Sequence, residues 1–106
     1  MESRYKVVYT LQYHDGFIGV ADYYVEKFGN RDLIIHLENE IIKREALLQN
    51  FPYSFTIFES NQLLKHEYRT FNVLNYKVFY YIDELAKIVY IRRILQAKID
   101  FKNIGL

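Results

Sequence analysis

The pattern of apolar and polar positions changes period twice along this chain. Arg4 to Leu11 (RYKVVYTL) is short and rich in β-branched and aromatic residues, which suits an N-terminal strand. From Gln12 to Phe28 the repeat becomes helical: Phe17, Ala21, Tyr24, Val25 and Phe28 fall on one stripe. Gly16 and Gly19 weaken this helix intrinsically, so it must rely on packing, and Gly29-Asn30 supplies a left-handed stop. A second helix is predicted over Arg31 to Gln49, with Ile34, Leu37, Ile41 and Leu48 on its buried stripe. Pro52 closes it, because proline disfavours helical geometry in the residue before it. So short a connection predicts an antiparallel helical hairpin.

The remainder turns to a period of two. Within Tyr76 to Asp83, the residues Tyr76, Val78, Tyr80 and Ile82 share one face, expected to meet the core. Lys77, Phe79, Tyr81 and Asp83 share the other. Lys87 to Leu95 is a further strand, and the break Asp83-Glu84-Leu85-Ala86 allows only a tight hairpin, so the two are antiparallel. Glu67 to Val73 adds a third strand across the break at Leu74-Asn75. Ser54 to Glu59 has strand character that Asn61-Gln62 interrupts, so Tyr53 to Lys65 reads as loop or irregular strand. Lys98 to Ile104 reads as a short helix or tail. The order strand, helix, helix, three strands, without βαβ units, predicts an α+β fold with the hairpin on one face of a mainly antiparallel sheet. The N-terminal strand must pair somewhere, and a place inside that sheet would tie the two halves together.

Composition narrows the chemistry. The 106 residues suit one domain, 1–106, and the 51% apolar share, with 11 Tyr and 8 Phe, is ample for a core. The absence of Cys excludes disulfides and thiolate metal sites. His14, His36 and His66 are too scattered to suggest a metal site, and no cofactor is expected. No apolar run is long enough to span a bilayer and MESRYK is no signal peptide, so a cytoplasmic protein is expected. The net charge of +1 hides an asymmetry: residues 66–106 hold seven Lys or Arg against four Asp or Glu, while residues 1–65 hold seven against nine. A basic sheet half is compatible with a polyanionic or acidic partner.

Three segments then bring a known family into view: FPY at Phe51 to Tyr53, YRTFNVLNYKVFYYID at Tyr68 to Asp83, and VYIRRILQAKID at Val89 to Asp100. With the order of elements, they resemble the RelE/ParE toxin superfamily of bacterial type II toxin–antitoxin modules. Arg69, Asn75 to Tyr80 and Arg93 to Leu95 match that pattern, Asp100 matches its closing acid, and Lys98 stands where Arg is usual. Gln96, Ala97 and Ile99 depart from it, replacing the usual His, Gly and second Arg.

The resemblance implies a growth-inhibiting toxin neutralised by a cognate antitoxin, and two possible targets. RelE-like members are ribosome-dependent mRNA endonucleases; ParE-like members poison DNA gyrase. A nuclease needs cations for the phosphate and groups to move protons. Arg69, Lys77, Arg93 and Lys98 are the candidate cations. No proton carrier stands out: RelE-like members tend to place a Tyr or His near the C-terminus, KNIGL (Lys102 to Leu106) contains neither, and only Tyr68, His66 and Glu67 lie nearby. An ordinary Tyr, with pKa about 10, is a poor base at neutral pH. This favours the ParE-like branch, with the nuclease, or a non-toxic binding remnant of the same fold, as alternatives. The antitoxin is expected to contact Tyr23 and Leu33 on the helices and Phe79, Tyr81, Arg93 and Lys98 on the sheet.

Each candidate also has a plainer reading. Lys77 suits a solvated strand, and Arg69 and Arg93 could pair with Glu67 or Asp100 at the sheet edge.

Overall fold

The computed structural model of the chain describes residues 4–60, 62–98 and 105–106. Its elements follow in the order β1 (Lys6–Tyr9), α1 (Leu11–Phe28), α2 (Asp32–Asn50), a 3-10 turn (Pro52–Ser54), β2 (Thr56–Ile57), β3 (Tyr68–Val73), β4 (Tyr76–Asp83) and β5 (Ile88–Gln96). The strands form one sheet in the order β1-β5-β4-β3-β2. The meander β3-β4-β5 is antiparallel, as its short connections require, and β2 extends it in the same sense. Only β1 runs parallel, against β5, in the register Lys6 opposite Ile88 to Tyr9 opposite Ile91. The N-terminal strand therefore occupies an edge of the sheet, and it still joins the chain's first strand to its last. The α+β expectation holds. The expected tail lies outside the described residues from 99 to 104.

Thr10 shows how β1 passes directly into α1. Its Oγ1 donates to the carbonyl of Ile91 (2.9 Å) and accepts from the Tyr13 amide (3.3 Å), so one side chain caps the helix and fixes it to the sheet. At the far end Gly29 adopts φ 62° and its amide bonds the Val25 carbonyl, the left-handed stop that its sequence position predicts. At Gly16 a Cβ would sit 3.4 Å from Cγ2 of Ile94, an ordinary van der Waals distance, so α1 lies against β5 at a spacing that a small side chain would also allow.

The core lies between the helices and one face of the sheet. Leu37, Ile41 and Leu48 of α2 are buried as expected, together with Tyr13, Phe71, Val73, Tyr76, Val78, Tyr80, Val89, Ile91 and Ile94. On α1 the buried stripe is rotated from the sequence reading. Tyr13, Phe17, Val20 and Tyr24 face the core, whereas Val25 and Phe28 are exposed. The predicted inner face of β4 is correct, since Tyr76, Val78 and Tyr80 are buried and Ile82 packs against them.

Two tethers secure the segment after α2. The Tyr80 hydroxyl donates to the Pro52 carbonyl at 2.6 Å inside the core. Glu84, in the β4–β5 hairpin, accepts hydrogen bonds from Tyr5 (2.6 Å) and Tyr53 (2.7 Å) and pairs with Lys87. These bonds hold the carboxyl down at about 2, with Lys87 the largest influence, and they raise the Tyr53 hydroxyl to about 12.

Candidate functional site

The face of the sheet turned away from the helices carries two of the four predicted cations, Lys77 and Arg93, and a bulge puts the second there. β4 and β5 pair Val78 with Ile94 and Phe79 with Arg93, but Tyr80 with Ile91, so Arg92 is an extra residue in β5. Without that insertion, alternation from Val89 and Ile91 would send Arg93 into the core. The bulge moves Ile94 inward and brings Arg93 to the outer face, across from Phe79 and diagonal to Lys77. The Arg93 guanidinium donates to the Gly105 carbonyl at 3.0 Å. Arg92 approaches the Leu106 carbonyl at 3.5 Å, and its Nη1 is buried without a hydrogen-bond partner among the described residues. Its charge also acts on the Tyr81 hydroxyl, offsetting part of the rise that burial causes there. Sequence reading passed over Arg92, although the Arg92-Arg93 pair in a strand was a signal that one of the two would break the alternation.

Aromatic rings adjoin these cations. His66 lies flat on Tyr81, ring centres 3.9 Å apart, and Tyr81 stacks on Tyr90 at 5.1 Å. Tyr68 closes against Tyr81 edge-on and is itself buried, which removes it as a candidate base.

Two sequence expectations need correction. Arg69 does not share this face. It sits opposite Tyr80 in the β3–β4 register, on the helix side of the sheet. There its guanidinium donates to the carbonyls of Tyr53 (3.1 Å) and Phe55 (2.8 Å), lies over the Tyr53 ring, and stands 3.5 Å from Glu67. This is a structural anchor for the segment after α2, and the four predicted cations do not converge on one phosphate position. Phe79, expected to meet a partner, is 0% exposed because Phe58 packs edge-on over its ring. The segment after β2 covers ground that alternation alone would have left bare.

The other expected partner contacts divide between two regions. Tyr81 and Arg93 belong to the outer sheet face. Tyr23 and Lys98 come together around a hollow that Tyr24, Phe28, Asn75 and Gln96 complete. Leu33 is exposed in the first turn of α2. Around them the helical pair shows much apolar surface. Leu11, Ile18 and Val25 are spaced by sevens on α1, and Ile35 and Ile42 by seven on α2, so each set follows one side of its helix; all five are exposed, Leu11 by 78%. No group of His, Asp and Glu among the described residues could hold a metal ion, and no helix among them is long and apolar enough to cross a membrane.

No protein-family description and no curated protein sequence matches the chain. Solved structures do. The chromosomal ParDE toxin–antitoxin system of P. aeruginosa aligns over 92% of this chain and 100% of its own, with a TM-score of 0.67 and 14% identity. The RelBE2 toxin–antitoxin complex of Mycobacterium tuberculosis aligns over 90% and 94%, with 0.59 and 14%. The archaeal RelE–RelB complex of Pyrococcus horikoshii OT3 aligns over 91% and 98%, with 0.57 and 11%. At these identities the likeness is one of architecture. It extends over nearly the whole chain in each case, and the helical hairpin packed on this sheet is a fold found in these ParDE and RelBE complexes.

Proposed function

We propose that this chain is the toxin of a type II toxin–antitoxin module, that a cognate antitoxin neutralises it, and that its target is DNA gyrase. The observation that carries the first part is the pair of apolar stripes on the helical hairpin, Leu11-Ile18-Val25 and Ile35-Ile42. Seven-residue spacing on two adjacent helices suits the apolar side of a helix from a partner protein. A surface of this kind on a small domain marks an interaction site. The fold is that of proteins solved as ParDE and RelBE complexes, which supports an antitoxin as the partner.

The choice of target rests on what the cationic face lacks. Strand-cleaving chemistry needs a group that takes a proton near neutral pH. Burial raises the Tyr81 hydroxyl, which makes it a poorer base than an ordinary tyrosine, and Arg69 is committed to backbone carbonyls on the opposite face. Lys77, Arg92 and Arg93 suit binding of a large anionic or acidic target better than bond cleavage. The nuclease reading keeps one specific point in its favour, the placement of His66 against Tyr81 beside Arg92.

Induced expression in a bacterial host tests both parts. Growth should stop, co-expression of the adjacent open reading frame should restore it, and purified chain should inhibit supercoiling by gyrase. Cleaved translated transcripts with unaffected gyrase would replace the target with mRNA. Normal growth with abundant folded chain would overturn the toxin reading.

A further inference from the structure

Where α1 leaves β1, the two helices stand apart over a cleft lined by Tyr9, Tyr13, His14 and Phe17 on one side and by Glu38, Ile41, Ile42 and Glu45 on the other. Its walls are aromatic. Tyr13 stacks on Phe17 with centres 6.0 Å apart, and Tyr9 and His14 close against Tyr13 at 5.0 and 5.9 Å. Its charge is wholly negative, since the described lining residues include two glutamates and neither lysine nor arginine. The antitoxin contacts and the cationic face described above involve none of these residues except Ile42.

Part of this arrangement is structural. The Tyr9 hydroxyl donates to Glu45 at 2.6 Å and so ties β1 to α2. The rest has no such use. Tyr13 is 6% exposed, yet its hydroxyl makes no hydrogen bond to any described residue. Glu38 faces the same space and forms no ion pair among the described residues, although its charge reaches the Tyr13 hydroxyl. The Tyr13 hydroxyl and the exposed Glu38 carboxylate both open onto the cleft within aromatic walls. Together they suit a donor that is flat, apolar on its faces and positively charged.

We propose that this cleft receives the guanidinium of an arginine side chain from a partner protein. A guanidinium stacks on aromatic rings, and its fork of N–H donors can serve Glu38, the second oxygen of Glu45 and the Tyr13 hydroxyl together. An ammonium is a compact, strongly hydrated charge and uses such walls less well. Ile42 belongs both to the cleft and to the apolar stripe of α2, so a chain lying along that stripe passes the opening. The partner is the one proposed above, and in that respect the inference rests on the toxin–antitoxin reading. A small probe nevertheless reads the cleft whether or not the chain is toxic.

The test is an amide NMR titration of the whole chain with N-acetyl-arginine methylamide, which is charged only on its side chain. Saturable shifts are expected at Tyr9, Tyr13, His14, Phe17, Glu38, Ile41, Ile42 and Glu45. The blocked lysine should bind more weakly, and the blocked citrulline, a neutral isostere, should leave these signals in place. Glu38→Gln should weaken the arginine probe by about threefold or more while the rest of the spectrum stays unchanged. Equal binding of citrulline, equal or tighter binding of lysine, or no saturation by on the order of 50 mM would overturn the assignment. Free L-arginine binding far more tightly than the blocked amide would also overturn it, in favour of a site for the amino acid itself.

Discussion

Tyr80 and Pro52 meet inside the core, where the tyrosine hydroxyl donates a 2.6 Å hydrogen bond to the proline carbonyl. Tyr80 belongs to the central pair of strands and Pro52 opens the turn after α2, so this one bond joins the helical layer to the sheet. Tyr80→Phe leaves a buried carbonyl without its donor and should cost about 1–3 kcal/mol. Tyr80→Ala removes the ring as well and should cost about 3–5 kcal/mol. Urea unfolding of both variants measures the two contributions separately.

Glu84 should govern part of the acid stability. Its folded pKa is depressed from the ordinary value of 4.5 to about 2. Its contribution is therefore present above the ordinary value and is lost as pH falls from there through the folded value. Glu84→Gln should flatten the stability profile in that window. For Tyr53 the direction is reversed: its pKa is raised from 10.0 to about 12, so the bond to Glu84 contributes below 10 and is lost through 12. Thermal melts of wild type and variant across both windows check the two signs.

Arg69 and Arg93 should behave differently although the sequence presents both as candidate functional cations. Arg69→Ala gives up two charge-assisted bonds and the stack on Tyr53, and should cost about 2–3 kcal/mol. Arg93→Ala acts on the outer face and should cost about 1 kcal/mol or less. Any loss of growth inhibition in the first then follows from lost fold, and in the second from lost contact with the target. Chemical denaturation run beside the growth assay separates the two.

Gly29→Ala should destabilise the hairpin by about 1 kcal/mol, because φ 62° is a conformation that a Cβ makes unfavourable. Nothing lies within 4 Å of the position an added Cβ would take, so the penalty is one of backbone conformation alone. A small, equal drop in the urea midpoint under all pH conditions is the expected result.

The elements were legible in the sequence because period and punctuation are local. Leu37, Ile41 and Leu48 on α2, the inner face of β4, and the stops at Gly29 and Pro52 needed no knowledge of distant residues. The parallel seat of β1 beside β5, the extra residue at Arg92 and the covering of Phe79 by Phe58 were hidden. Each depends on which segments meet across the fold, and alternation within one strand carries no record of that. Arg69 shows the same limit: its position before the central strand was plain, but its commitment to the Tyr53 and Phe55 carbonyls was not.

The edge seat of β1 has a consequence for biosynthesis. Thr10 Oγ1 bonds a carbonyl 81 residues further along, so the sheet cannot close until β5 has emerged from the ribosome. Until then the nascent chain holds its helices over an unfinished platform with open edges, a slow and aggregation-exposed stage for pairings of such long range. A protein built this way cannot finish its surface before β5 is made.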